Sequence, residues 1–124
     1  MAQVVLLTAD LLFGSQVQGA LVAAGHEVRT VANETRLRER LADETQPSAE
    51  VLVVDLTDAD LAGAGIVESL AGRGGLGATR TLGFYSHVDV AAREGAERAG
   101  FDLVVPRSRM AREGAELVAR LASG

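Results

Sequence analysis

The chain has 124 residues, of which 48% are hydrophobic and 23% are charged, with a formal net charge of −5; this balance is typical of one globular domain with a single core. It contains no cysteine and no lysine, which excludes disulfides, thiolate chemistry and any mechanism that requires a lysine side chain. The acidic charge and the few aromatic residues argue against nucleic-acid binding. No apolar run is long enough to span a membrane and the N-terminus lacks the basic start of a signal peptide, so we expect a cytoplasmic protein without membrane association.

Apolar runs alternate with amphipathic stretches along the whole chain. The apolar runs are short and rich in valine and leucine, which predicts strands, and the stretches between them carry apolar residues at helical spacing. The predicted strands cover residues 4–8, 26–32, 51–55, 81–86 and 102–106, and the predicted helices cover residues 10–25, 34–44, 64–72, 89–100 and 109–122. Asn33 and Ser108 are expected to cap the helices that follow them, while Gly25 and Gly100 are expected to end the helices that precede them.

Strict alternation of five strands and five helices predicts right-handed crossovers and a parallel sheet with helices on both faces. Residues 51–55, "VLVVD", are apolar and β-branched on both faces, which is typical of a central strand covered on either side. We therefore expect an α/β fold in which residues 1–124 form one domain around a doubly wound, five-stranded, flavodoxin-like sheet.

Other patterns resemble functional motifs but lack the context that those motifs need. The glycines of 72–77 match G-x-G-x-x-G, yet they follow a predicted helix and precede a strand, so we expect a connecting loop and not a dinucleotide site. His26 and His87 have no third ligand at a metal-binding spacing, and we expect them at surface or turn positions. Ser86 and His87 are only sequence neighbours, which is no sign of a catalytic triad, and we expect no enzyme.

Ligands of doubly wound sheets bind beyond the carboxyl ends of the strands, which makes the strand-end residues the candidates for function. These residues are Thr8, Ala9, Asp10, Asp55, Tyr85, Ser86, Val105, Pro106 and Arg107. Asp55 ends the predicted central strand. It is either a chemical centre, such as a phosphate acceptor or a metal ligand, or a carboxylate that accepts hydrogen bonds from the amides of the adjacent loop.

The strand-end residues resemble those of the receiver domain of bacterial two-component response regulators, whose fold is that of the chemotaxis regulator. The resemblance runs from end to end and is carried by "VVLLTADLL", "AAGHEV", "VLVVDLTDADLAG", "GFYSHVD" and "AGFDLVVPRSR". The receiver pattern has a phosphoacceptor aspartate ending the third strand, a glycine eight residues later, and a serine or threonine ending the fourth strand. Asp55, Gly63 and Ser86 match these positions, with Tyr85 beside the last of them.

The acidic pair of the receiver pattern is missing from this chain. Receivers carry two adjacent acidic residues at the end of the first strand, which bind Mg²⁺ together with the acceptor aspartate. Those positions fall on Thr8 and Ala9 here, and Asp10 lies one or two places too late to replace them fully. Mg²⁺ prefers carboxylate oxygens and water in octahedral geometry. Because the paired carboxylates are missing, we expect no bound cofactor.

The lysine of the receiver pattern, at the end of the fifth strand, is missing as well. Alignment on Pro106 puts Val105 at that position, whereas counting from residues 99–100 puts Arg107 there. A guanidinium group differs from an ammonium group in shape and reach. A carboxylate without a metal ion and a cation beside it is a poor phosphoryl acceptor. We therefore expect Asp55 to accept hydrogen bonds from the amides of the adjacent loop.

Three hypotheses for function follow. The first, which the residues favour, is a phosphorylation-independent regulatory module that acts through protein–protein contact, or as a homodimer, using strands four and five and the last two helices. The second is an unconventional phosphoacceptor that uses Asp55, Asp10, Ser86 and Arg107. The third is a small-molecule or nucleotide-binding domain, because the same crevice holds other ligands in flavodoxin-like folds.

Overall fold

Five strands alternate with five α-helices, as predicted, in the computed structural model, which describes residues 2–124. The strands are β1 (Gln3–Leu7), β2 (Glu27–Val31), β3 (Val51–Asp55), β4 (Arg80–Tyr85) and β5 (Leu103–Pro106). The helices are α1 (Leu11–Ala23), α2 (Glu34–Ala42), α3 (Gly63–Gly72), α4 (Val90–Ala99) and α5 (Arg107–Ser123), and a short 3₁₀ helix covers Ala59–Leu61. The predicted bounds differ from these by no more than two residues.

All strands are parallel and lie in the order β2-β1-β3-β4-β5, which is the doubly wound topology that the alternation predicts. The strand order reverses between β1 and β3, so the crevice of the switch point lies at the carboxyl ends of these two strands. The α/β fold expected from the sequence is confirmed.

The sheet separates two hydrophobic cores. One contains side chains of α1 and α5, and the other contains side chains of α2, α3 and α4. Every residue of β3 is buried, with Val53 in the first core and Leu52 and Val54 in the second. The unbroken apolar run that predicts a central strand therefore supplies both cores.

Helix ends follow the predicted caps at two positions and depart from them at a third. The Asn33 side chain accepts a hydrogen bond from the N–H of Arg36 at 2.9 Å, and Gly100 ends α4 with a φ of 97°. The expectation that Ser108 caps α5 is wrong, because the helix begins at Arg107 and Pro106 occupies the cap position. Proline ends the strand ladder and the chain enters the helix without a loop, which places Ser108 in the first turn.

His26 is buried, with 6% of its surface exposed, so the expectation of a surface or turn position is wrong. Its Nδ1 accepts a hydrogen bond from the N–H of Ala2 at 3.0 Å. Its Nε2 therefore carries the hydrogen and donates to the carbonyl of Ala115 at 3.3 Å. The imidazole thus joins the start of the chain to the middle of α5.

Gly72 ends α3, and Gly74, Gly75 and Gly77 lie between α3 and β4, where the sequence predicts a connecting loop. No helix among residues 2–124 has the length and apolar character needed to cross a bilayer.

Candidate functional site

The carboxyl ends of β1, β3, β4 and β5 bring most of the predicted site residues to one edge of the sheet. Thr8 and Asp10 follow β1, Asp55 ends β3, Ser86 follows β4, and Arg107 follows β5. Among them, side-chain contacts join Thr8 with Asp55, and Asp10 with Arg107. Ala9 is exposed and contributes no polar side chain, and Tyr85 and Val105 are buried in their strands.

Asp55 is 1% exposed, and both oxygens of its carboxylate accept hydrogen bonds from the protein. Oδ2 accepts from the Thr8 hydroxyl at 2.7 Å. Oδ1 accepts from the Thr57 N–H at 2.8 Å and from the Thr57 hydroxyl at 2.5 Å. This is the loop-capping arrangement, in which the carboxylate fixes the turn that follows β3.

Thr8 occupies a position where the receiver pattern carries an acidic residue. Its hydroxyl can donate a hydrogen bond, which an ionised carboxylate cannot do. It donates to Asp55, and it also accepts from the N–H of Asp10 at 3.1 Å. The methyl group of Thr8 packs against α1, since a Cβ on Gly14 would lie 2.8 Å from it. Thr8 therefore stabilises the buried Asp55 carboxylate by hydrogen-bond donation.

The side chains of Asp10 and Arg107 contact each other and not Asp55. Asp10 Oδ1 accepts from the N–H of Phe13 at 3.0 Å and caps α1, while its Oδ2 lies 3.4 Å from Arg107 Nη2. The guanidinium carbon of Arg107 lies 4.1 Å from the centre of the Phe13 ring, a cation–π contact. Of the two alternatives for the lysine position, Arg107 is the one at this edge.

The side chains at this edge do not fit Mg²⁺. No three histidine, aspartate or glutamate side chains within residues 2–124 are grouped so that they could hold a metal ion. Thr8 and Ala9 add no carboxylate, and both oxygens of Asp55 already accept hydrogen bonds from threonines. Mg²⁺ would have to compete with these hydrogen bonds for the oxygens of Asp55.

Gly63, eight residues after Asp55, allows α3 to approach the end of β3 closely. A Cβ at this position would lie 2.5 Å from a Val54 methyl group and 3.3 Å from the carbonyl oxygen of Asp55. The glycine that matches the receiver pattern therefore has a packing role beside the site.

A cavity of about 400 Å³ opens beside Asp55 at the same edge. Its lining consists of Phe13, Thr57, Ser86, His87, Arg107, Ser108 and Ala111. Sequence reasoning placed Ser86 and Arg107 here but missed Thr57 as part of the site. The signal was available, because a threonine two residues after an aspartate is typical of a side-chain-capped turn.

A displaced carboxyl pKa occurs at the opposite edge of the sheet, where Asp43 follows α2. The hydroxyl and the N–H of Thr45 donate to its carboxylate and hold the pKa of Asp43 below its usual range. This shift has no bearing on the chemistry of the crevice.

No family model matches the sequence, and no curated protein sequence matches it. Solved structures of receiver domains match over almost the whole chain. The receiver domain of the Francisella response regulator 1452 is 14% identical with a TM-score of 0.80, and the match covers 99% of this chain and 98% of that one. A response regulator receiver domain protein from Clostridium thermocellum is 15% identical with a TM-score of 0.82, covering 99% and 95%. The chemotaxis response regulator CheY4 of Vibrio cholerae is 19% identical with a TM-score of 0.77, covering 98% of each chain.

The chain therefore has the fold of response-regulator receiver domains, which is the chemotaxis-regulator fold expected from the sequence. These matches concern the fold. The hydrogen bonds around Asp55 are properties of this chain's own residues.

Proposed function

We propose that this protein is a receiver-like regulatory module that acts through protein–protein contact without phosphorylation of Asp55. The observation that carries the proposal is the closed hydrogen bonding of the Asp55 carboxylate by Thr8 and Thr57. The receiver fold supports a role in signal transduction, and the residues of the crevice argue against the usual chemistry in it.

Phosphoryl transfer to a carboxylate requires an exposed oxygen and positive charge that stabilises the transferring group. Asp55 is 1% exposed, and each of its two carboxylate oxygens already accepts a hydrogen bond from a threonine. The nearest cation among the predicted site residues, Arg107, pairs with Asp10. Asp10 and Arg107, two of the residues assigned to an unconventional phosphoacceptor, are therefore engaged with each other and not with Asp55.

The output of such a module passes through a protein partner or a second copy of the chain. We place the contact on β4, β5, α4 and α5, the region that the receiver resemblance implies, in a cytoplasmic protein that binds neither nucleic acid nor membrane. The module is no enzyme, and it works without a cofactor.

Incubation with acetyl phosphate and Mg²⁺, followed by intact mass spectrometry, tests this proposal. We expect no addition of a phosphoryl group, and we expect the sedimentation velocity of the protein to be the same with and without the phosphodonor. The Asp55→Ala variant is the matched control for modification at other residues. Stoichiometric addition to the wild type that is absent from Asp55→Ala, accompanied by a change in sedimentation, would overturn the proposal.

A further inference from the structure

The cavity beside Asp55 combines apolar walls with several hydrogen-bond donors. Phe13 and Ala111 supply apolar surface, and Ser86, His87 and Ser108 supply polar groups. Its volume of about 400 Å³ lies within the range of roughly 300–1,000 Å³ typical of small-molecule sites.

The charge of the lining is unusual for this acidic chain. The net charge of the protein is −5, yet the residues that line the cavity include an arginine and a histidine and no aspartate or glutamate. Asp55 is not part of the lining, while Thr57, whose hydroxyl donates to Asp55, is. A negatively charged ligand would therefore meet donors at the wall and not the buried carboxylate.

Arg107 contacts Phe13 and Asp10 but still has hydrogen-bond donors available. The guanidinium carbon lies over the Phe13 ring, 4.1 Å from its centre, and the contact with Asp10 is long, at 3.4 Å, with side-chain exposures of 45% and 40%. An exposed ion pair of this kind contributes little to stability. The guanidinium group carries five N–H donors in a planar fork, so donors remain for a second anion.

Two exposed apolar residues are sequence neighbours of residues that line the cavity. Leu12 and Val88 are 74% and 76% exposed, and they adjoin Phe13 and His87, which line the cavity. Exposed apolar side chains beside a polar pocket favour a ligand that has an apolar body as well as a charged group.

We propose that this cavity binds a small organic anion non-covalently, namely a phosphate monoester or carboxylate carried on an apolar or aromatic body. The anionic group lies against Arg107, Ser86 and Ser108, and the body packs against the apolar wall formed by Phe13 and Ala111. The site does not require any reaction at Asp55, and it goes beyond the proposed function, which does not depend on a ligand.

Phenyl phosphate and benzoate are the probes, with benzyl alcohol as the uncharged control and inorganic phosphate as the control without an apolar body. Titration is followed by two-dimensional NMR of the ¹⁵N-labelled protein. We expect phenyl phosphate, benzoate or both to shift the amide resonances of Ser86, His87 and Ser108 saturably. We expect benzyl alcohol and inorganic phosphate to bind at least about tenfold more weakly, since a hydrogen bond to a charged group and the burial of an aromatic body each contribute more than a kilocalorie.

Three variants give opposed expectations. Arg107→Gln should weaken binding about tenfold or more, because it removes a charge-assisted hydrogen bond. Arg109→Gln is the matched control, since Arg109 lies two residues away, pairs with Glu113 at 3.5 Å and does not line the cavity; it should leave the affinity nearly unchanged. Asp10→Asn keeps a residue able to cap α1 but frees Arg107 from its counter-charge, and it should tighten binding.

Equal weakening by Arg107→Gln and Arg109→Gln would overturn the proposal, because it would show general surface electrostatics in place of a built site. Equal affinity for benzyl alcohol, or the absence of saturable shifts at Ser86, His87 and Ser108 with both charged probes, would overturn it as well. Intact mass spectrometry of the titrated sample separates this result from the proposed function. A covalent adduct on Asp55 would contradict phosphorylation independence, whereas unchanged mass with saturable binding supports the non-covalent site.

Discussion

Replacement of Thr8 by valine tests whether a hydroxyl stabilises the buried Asp55 carboxylate. Valine keeps the shape of threonine, including the methyl group that packs against Gly14, and removes only the hydroxyl. That hydroxyl donates to Asp55 at 2.7 Å and accepts from the Asp10 N–H at 3.1 Å. The substitution therefore isolates two hydrogen bonds at a position that is 4% exposed.

The expected loss follows from these two bonds. A hydrogen bond to a charged group contributes about 1.5–3 kcal/mol and an ordinary one about 0.5–1.5 kcal/mol, so Thr8→Val should lower the free energy of unfolding by about 2–4 kcal/mol. Because domains of this size are stable by only about 5–15 kcal/mol, the effect is a large fraction of the total. Urea unfolding followed by circular dichroism measures it directly.

Two comparisons make this measurement decisive. Thr57→Val removes a hydroxyl from an exposed residue whose N–H still donates to Asp55, so it should cost less than about 1 kcal/mol. A double-mutant cycle of Thr8→Val with Asp55→Ala should show a coupling of about 1–3 kcal/mol. If Thr8→Val costs no more than Thr57→Val, or if the cycle is additive, the Thr8 hydroxyl does not stabilise the buried charge.

Further substitutions test the packing around the site and the buried histidine, each by urea unfolding. Gly63→Ala should destabilise the protein by about 1–3 kcal/mol because of overpacking, whereas Gly65→Ala, where a Cβ meets nothing within 4 Å, should stabilise the same helix; equal effects would contradict the packing role. Ala62 has a φ of 53°, so Ala62→Gly should raise stability by up to about 1 kcal/mol as it relieves left-handed strain, and a loss would refute this. His26→Phe should cost about 1–3 kcal/mol by leaving buried groups without partners, while His87→Phe, at an exposed position, should change stability little; similar costs would argue against the bridging role of the imidazole.

The fold could be predicted from the sequence because its signals are local. Unbroken apolar runs such as 51–55 and the helical spacing between them determine strand and helix, and strict alternation leaves few ways to arrange a parallel sheet. The capping role of Asp55 was predictable for a similar reason, since an aspartate at the end of a strand has loop amides within two residues.

The remaining features depend on contacts between residues distant in sequence. His26 is bound by groups 24 and 89 residues away, and the bond from Thr8 to Asp55 crosses 47 residues. No local pattern distinguishes a threonine that completes a buried network from one that faces solvent. The wrong prediction at Ser108 arose because Pro106 and Ser108 are both acceptable helix starts in the sequence. Only the three-dimensional course of the chain decides between them.

The threonine bridge between the ends of β1 and β3 has a consequence for how this edge responds to its surroundings. Hydrogen-bond donors that belong to the polypeptide, such as these threonine hydroxyls, are present in every molecule, whatever the ionic composition of the solution. A carboxylate balanced by a dissociable ion relaxes when that ion is withdrawn, whereas the donors to Asp55 belong to Thr8 and Thr57. Under the proposed function, the geometry of this edge is therefore inherited with the sequence and does not follow the supply of divalent ions.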